Sequence, residues 1–277
     1  MQAVDVAKGD GPIVLGLPHS GTYVPAEIWS RLNAIGQKLV DTDWHVDRLY
    51  SHLRSNATMV KANFHRYVVD ANRDPAGASL YPGQNTTSLC PTTDFDGHSI
   101  YRQGEEPDAE EIEARRLAWH GPYHAALETE LSRVKATHGV AILYDCHSIR
   151  SNIPYLFEGT LPDFNTGTNG GTTCASEIEA VVCETASRAA GYSSVLNGRF
   201  KGGWTTRHYG EPGSGVHAIQ MELAQNTHLA TEDAPFSYDA EKADKLRVHL
   251  ANILTALEDL APSLAQQDLT AEDANHG

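Results

Sequence analysis

Short apolar runs alternate along this chain with stretches whose apolar residues recur at helical spacing, and that alternation leaves few architectures open. The runs are 12–17, 57–62, 140–145 ("VAILYD"), 153–157, 193–197 and 216–223 ("VHAIQMEL"). Read as strands, they call for a sheet covered by helices on both faces, an α/β fold. At 277 residues the chain can bury a core for one large domain, and neither an internal repeat nor a linker divides it. A single domain over 1–277 is expected.

The helical stretches carry their own signals. In "DTDWHVDRLYSHLRS", Val46, Leu49, Tyr50 and Leu53 fall at i, i+3, i+4 and i+7. Asp41, Thr42 and Asp43 stand ahead of them as capping residues, which predicts a helix starting near 42. From Glu105 to His138, Ile112, Trp119, Tyr123, Leu127, Leu131 and Val134 mark one face. Pro107 suits a first turn there, and Pro122 either kinks one helix or starts a second. A last helix over about 239–260, with Leu246, Leu250, Ile253, Leu254 and Leu257 on one stripe, should end before Pro262 and leave 262–277 frayed. Between Arg73 and Gly104 a stretch rich in Pro, Gly, Thr and Asp fits neither period and reads as a substrate-covering loop.

Charge and cysteine usage narrow the partners. Lys plus Arg at 21 against Asp plus Glu at 36 gives a formal charge of −15, which argues against nucleic acid and anionic membrane surfaces. No apolar run approaches the roughly 18 residues that span a bilayer. The four cysteines include no C-x-x-C pair, and the N-terminus lacks the pattern of a signal peptide, so a reducing, cytoplasmic setting is expected.

Two of the strands end in a histidine. "PIVLGLPHSG" delivers His19 just past its apolar run, and "VAILYDCHS" delivers His147 at or just beyond the last residue of its own. Site residues of α/β sheets gather at the carboxyl ends of strands, so these two imidazoles can share one metal site. A catalytic zinc site takes three protein ligands and leaves one position open. The third ligand would be a carboxylate, and Asp41, Asp43, Asp47, Asp145 and Glu222 are the candidates. Asp145, on the strand face of His147, could instead hold that imidazole in its metal-binding tautomer.

Taken in order, "PHSG", "DTDWHVDRLY", "RYVVDANR", "DCHS", "KGGWTTRHYG" and "GVHAIQMEL" resemble the N-formylglutamate amidohydrolase (N-formylglutamate deformylase) family over about 12–225. The resemblance implies a fold related to zinc carboxypeptidases and aspartoacylases, with a mixed, mostly parallel sheet between helices. It also implies a zinc-dependent hydrolase, or one using another divalent ion. Its substrate would be a small anionic amino-acid derivative, N-formyl-L-glutamate, cleaved to formate and L-glutamate in the last step of a histidine degradation route.

His19 and His147 match the metal histidines of the wider superfamily. The glutamate that relatives place three residues after the first histidine is here Thr22, so Asp43 is the expected replacement, with Asp41 behind it. Glu222 matches the catalytic glutamate and is expected as general base. Asn72 and Arg73 fall where related enzymes bind the substrate carboxylate, and Arg66 near a further arginine that would stabilise developing charge. A guanidinium takes a carboxylate through two hydrogen bonds, and a dicarboxylate needs two such anchors. Arg207 and Arg102 are the candidates for the second anchor.

Two other readings compete. Cys146 beside His147 suggests a metal-free cysteine hydrolase, but adjacent strand residues face opposite ways and no G-x-S-x-G elbow is present. The other is a non-catalytic binder of acidic amino acids. A hydrolase of a different N-acyl acidic amino acid is the near alternative.

Overall fold

A computed structural model of the chain describes residues 1–78 and 85–275, with side chains as far as 266. Its seven strands are β1 (Val4–Ala7), β2 (Ile13–Leu17), β3 (Thr58–Ala62), β4 (Ala141–Ile149), β5 (Phe164–Gly167), β6 (Ser194–Leu196) and β7 (Val216–Ala224). They form one sheet in the order β1-β3-β2-β4-β7-β5-β6. The central β3, β2, β4 and β7 run parallel. At the edges β1 lies antiparallel to β3, and β5, with β6 parallel to it, lies antiparallel to β7. The mixed, mostly parallel sheet expected from the resemblance is the one observed.

At its centre the sheet buries both faces along β2, β4 and β7. Ile13, Leu15 and Leu17 of β2 point toward α5 (Ser176–Ser187) and α7 (Ala240–Asn275), where Ile178, Val182, Leu246, Leu250 and Leu257 complete one core. On the other face Val14 joins Val60, Leu143 and Ala218 under α4 (Gly121–His138), which contributes Tyr123, Leu127, Leu131 and Val134. The short helices α1 (Ala26–Trp29), α2 (Val46–Tyr50), α3 (Ala109–Arg115) and α6 (Trp204–Tyr209) sit in the connections.

Several sequence expectations change. Segment 153–157 is a turn: Leu156 N–H and Phe157 N–H both donate to Ile153 O. Its apolar residues fall at i, i+3 and i+4, and Pro154 has no N–H for a ladder. Strand β4 continues four residues past 145, so His147 lies inside the strand and pairs in register with Glu222. The helix expected near 42 begins only at Val46, behind a left-handed His45, because Asp41 and Asp43 turn inward rather than cap it. Of the two readings of Pro122 the second holds: α4 begins at Gly121 with Pro122 in its first turn, after residues Arg116–His120 widen into a π turn, and Asp108 caps α3 by accepting from Glu111 N–H at 2.9 Å. Helix α7 runs through Pro262 to Asn275 instead of stopping at 260. Of the segment 262–277 expected to fray, side chains from 267 on lie outside the described residues.

Residues 79–84 of the stretch 73–104 lie outside the described residues, and among its described residues there is no helix or strand, as expected. Leu89, Cys90, Phe95, Ile100 and Tyr101 are buried, so the part of the stretch from 89 to 101 is packed on the body.

Candidate metal centre

Beyond β2, the turn at Pro18 places His19 at the carboxyl end of this central strand, where it is 2 % exposed. From the next strand of the sheet, β4 presents His147 on the same side, and the ring centroids stand 5.0 Å apart. The chain entering α2 supplies Asp43, pinned by its backbone N–H to His19 O at 3.1 Å. Three acceptor atoms converge there. His19 Nδ1 lies 3.3 Å from His147 Nδ1, and Asp43 Oδ2 lies 3.1 Å from His147 Nδ1 and 3.8 Å from His19 Nδ1.

The far sides of both rings explain this convergence. Asp70 Oδ1 is 2.7 Å from His19 Nε2, and Asp145 Oδ2 is 3.1 Å from His147 Nε2. Asp70 draws the His19 proton to Nε2 and leaves Nδ1 with its lone pair, while His147 Nε2 faces both Asp145 Oδ2 and, at 3.1 Å, the Asn72 amide nitrogen. In that state two ring nitrogens and a carboxylate oxygen face one another as possible ligands of one ion. A divalent cation among them would satisfy all three at once, taking the place of a proton between His147 Nδ1 and Asp43 Oδ2. Ligand atoms about 2.0–2.1 Å from a tetrahedral zinc ion lie about 3.3 Å from one another, close to the separations found here. The donor set therefore fits a divalent metal such as zinc.

The electrostatics of the two rings differ. Burial lowers His19 to about 4, with Arg66 adding to the fall, so its imidazole is neutral. Burial also disfavours a charged His147, but Asp145, Asp43 and Glu222 outweigh it and raise the ring well above its ordinary value. Asp43 is disfavoured as an anion by burial, yet Arg66 and the two histidines hold it low. That collection of acids around one point is what a bound cation would neutralise.

Of the other carboxylates considered, Asp145 takes the supporting place behind His147 and is itself held by Thr206 Oγ1–H at 3.0 Å. Asp41 faces away, accepting from Tyr67 O–H at 2.8 Å and Phe95 N–H at 3.0 Å. Asp47 pairs with Lys61 at 3.2 Å near the surface.

A cleft opens above these groups. Glu222 lines it, 7 % exposed, with Oε2 accepting from Gln220 Nε2–H at 3.0 Å, and burial raises its carboxyl to about 8. Arg66 also lines it, donating from Nη2 to Asp43 Oδ1 at 2.9 Å and lying over the Phe95 ring. Asn72 and Arg73 are there too: Asn72 Oδ1 accepts from Thr205 N–H at 2.8 Å, and Arg73 Nη2 stands 3.6 Å from Asp70 Oδ2. Arg102 and Arg207 are not brought to this cleft. Arg102 is exposed, and Arg207 folds back so that Nε donates to Gly202 O at 2.9 Å.

Sequence reasoning passed over several residues. Asp70 stands in "RYVVDANR" between apolar neighbours, and an acid in such a setting is buried and therefore paired. His124 and His120, without a role before, donate from Nε2 to Ala71 O at 2.8 Å and Arg73 O at 3.1 Å, holding the segment that carries Asn72 from behind. His65 accepts the Tyr67 N–H at 3.0 Å, and His208 stacks on Trp204 at 4.2 Å. Cys146 points into the core opposite His147, and burial pushes its thiol up, which leaves it unsuited as a nucleophile.

Comparison with known proteins gives the same direction. The family model described as N-formylglutamate amidohydrolase matches residues 11–229. The chain is 45 % identical over 259 residues to an N-formylglutamate deformylase of Pseudomonas aeruginosa, covering 92 % of this chain and 96 % of that one. To an N-formylglutamate deformylase of Pseudomonas putida it is 42 % identical over 255 residues, covering 90 % and 93 %. A crystal structure of N-formylglutamate amidohydrolase from Ralstonia eutropha superposes with a TM-score of 0.76 at 25 % identity, covering 92 % and 97 %. With the match spanning sheet, cleft and candidate metal ligands, the chain belongs to the N-formylglutamate amidohydrolase family.

Proposed function

We propose that this protein is a divalent-metal-dependent amidohydrolase, with zinc the best-suited ion, that cleaves N-formyl-L-glutamate to formate and L-glutamate. The observation that carries the reading is the convergence of His19, Asp43 and His147 beneath a cleft lined by Glu222 and arginines. The names of the two Pseudomonas relatives support the substrate. With that substrate the enzyme serves the last step of a histidine degradation route. Free thiols at all four cysteines suit a reducing cytoplasm, and among the described residues no helix is long and apolar enough to cross a membrane.

His19, His147 and Asp43 would hold the metal, with Asp70 and Asp145 fixing the two rings. Such an ion supplies Lewis acidity, which makes water ionise near neutral pH and polarises a carbonyl. Glu222 takes a proton from the water that attacks the formyl carbon. Raised by burial and opposed by His147 and Arg66, its carboxyl changes state in the range where a base must also give the proton back. As the C–N bond breaks, that proton passes to the leaving amine nitrogen of glutamate.

Arg66 faces the charge that develops on the formyl oxygen. Arg73 and Asn72 hold the α-carboxylate, positioning a formyl group that itself offers little to bind. An overall charge of −15 repels an acidic substrate at long range, and the arginines of the cleft reverse that field locally.

Dialysis against a chelator, followed by assay of formate release, tests this reading. Activity is expected to vanish and return with zinc; full activity without metal would overturn it. A panel of N-formyl, N-formimino and N-acetyl derivatives of glutamate and aspartate should single out N-formylglutamate.

A further inference from the structure

We propose that Arg199 binds the side-chain carboxylate of the substrate and so selects acidic N-acyl amino acids. This assignment rests on the hydrolase reading above. A dicarboxylate needs two cationic anchors set apart from one another. The arginines nearest the metal ligands are bound into that cluster: Arg66 lies 2.9 Å from Asp43 and 3.8 Å from Asp70, and Arg73 lies 3.6 Å from Asp70. Because the scissile nitrogen and the α-carboxylate share one carbon atom, these arginines serve the α end. The other end needs a cation from a different wall.

Arg199 is that cation. It lines the same cleft but comes from the loop after β6, outside the Asp70 group. Asn197, left-handed at φ 49°, fixes the preceding turn, its Oδ1 accepting from Thr168 N–H at 2.9 Å. The guanidinium is then oriented by two backbone carbonyls: Nε donates to Leu156 O at 3.0 Å, and Nη2 donates to Asn85 O at 3.3 Å. A planar fork held this way loses little further freedom when a carboxylate arrives. Beside it Leu156 and Phe200 give the cleft apolar surface, which suits the two methylenes that separate the carboxylates of glutamate.

Arg199 also ties the 153–157 turn to the loop at 85, so a merely structural role has to be separated from recognition. Steady-state kinetics of wild type, R199Q and R199K on N-formyl-L-glutamate and its neutral isostere N-formyl-L-glutamine make that separation. For R199Q, KM for N-formylglutamate should rise on the order of a hundredfold with kcat nearly unchanged, as expected when a paired charged hydrogen bond is lost. KM for N-formylglutamine should change by less than about threefold, since a neutral amide gains little from the fork. R199K, which keeps the charge and loses the fork, should fall between.

An equal loss on both substrates, or no change on N-formylglutamate, overturns the assignment. Should R199Q fail to fold, the ratio between substrates in R199K decides alone. Calorimetric titration with L-glutamate reads the anchor without turnover. Weakened binding in R199K supports the assignment even if the wild type proves not to hydrolyse N-formylglutamate, and unchanged binding overturns it.

Discussion

Asp70 Oδ1 stands 2.7 Å from His19 Nε2, a fully buried carboxylate behind a buried ring. Burial opposes its charge, but Arg73, His19 and Arg66 together hold Asp70 well below the usual carboxylate range. Asp70 thus stays ionised and keeps the His19 proton on Nε2. In Asp70→Asn the amide can donate to that nitrogen and push the proton to Nδ1, the metal-facing side. Metal affinity, measured by competition with a chromogenic chelator, should fall about 10–100-fold, the usual effect of losing such a partner. Unchanged affinity would show that Asp70 does not set the tautomer.

Glu222 is separated from the metal ligands in its expected effect. It pairs in register with His147 and lines the cleft, and it is not among the three convergent ligands. Glu222→Gln keeps the shape and the contact with Gln220 while removing the base. The metal content should stay near that of wild type while kcat drops about 10²–10⁴-fold. Near-normal turnover would take the proton-transfer role away from this residue.

Gly203 tests how tightly the substrate-holding segment is packed. Its N–H donates to Gln220 Oε1 at 2.7 Å, and a Cβ there would overlap the side-chain amide of Asn72. Asn72 cannot swing away freely, because Thr205 N–H holds its oxygen at 2.8 Å. Gly203→Ala should therefore lower kcat/KM at least tenfold by displacing Asn72, with metal content preserved. Wild-type kinetics would show that Asn72 tolerates the shift.

What the sequence made legible follows from how local each signal is. The central strands β2, β4 and β7 were readable because burial on both faces favours apolar runs, and β3, buried at alternate positions, still carries Met59, Val60 and Ala62 in one run. By contrast β5, "FNTG", is just as buried but polar: Asn165 Nδ2 donates to Glu222 O at 3.0 Å, a satisfaction that only the fold reveals. His19, His147 and Asp43 converge because their motifs sit at the ends or within central parallel strands and beside them. Arg199 escaped for a topological reason. Its strand β6 runs antiparallel to β4 and β7, so a rule that gathers site residues at the carboxyl ends of parallel strands does not point to it. Arg102 and Arg207, the candidates named from sequence, do not reach the cleft because a guanidinium's direction is set by tertiary partners, Gly202 O for Arg207.

His124 links the site to acid stability. The ring is buried between α4 and the Ala71–Arg73 segment, with Nε2–H donated to Ala71 O at 2.8 Å and Nδ1 3.0 Å from Tyr209 O–H. Burial, with His120 adding to it, lowers its pKa to about 3. In the unfolded chain the same ring titrates near 6.5, so below that pH the unfolded state binds the extra proton and is favoured. The contribution is complete above pH 6.5 and is lost as pH falls toward 3. Between pH 7 and pH 5 this one group should remove about 2 kcal/mol of stability. His124→Gln keeps a donor for Ala71 O but cannot titrate. Urea unfolding of both proteins at the two pH values isolates the effect, since the remaining acids and histidines are common to both. Wild type should lose about 2 kcal/mol more than the variant on acidification, and parallel losses would mean that His124 is not held neutral in the folded state.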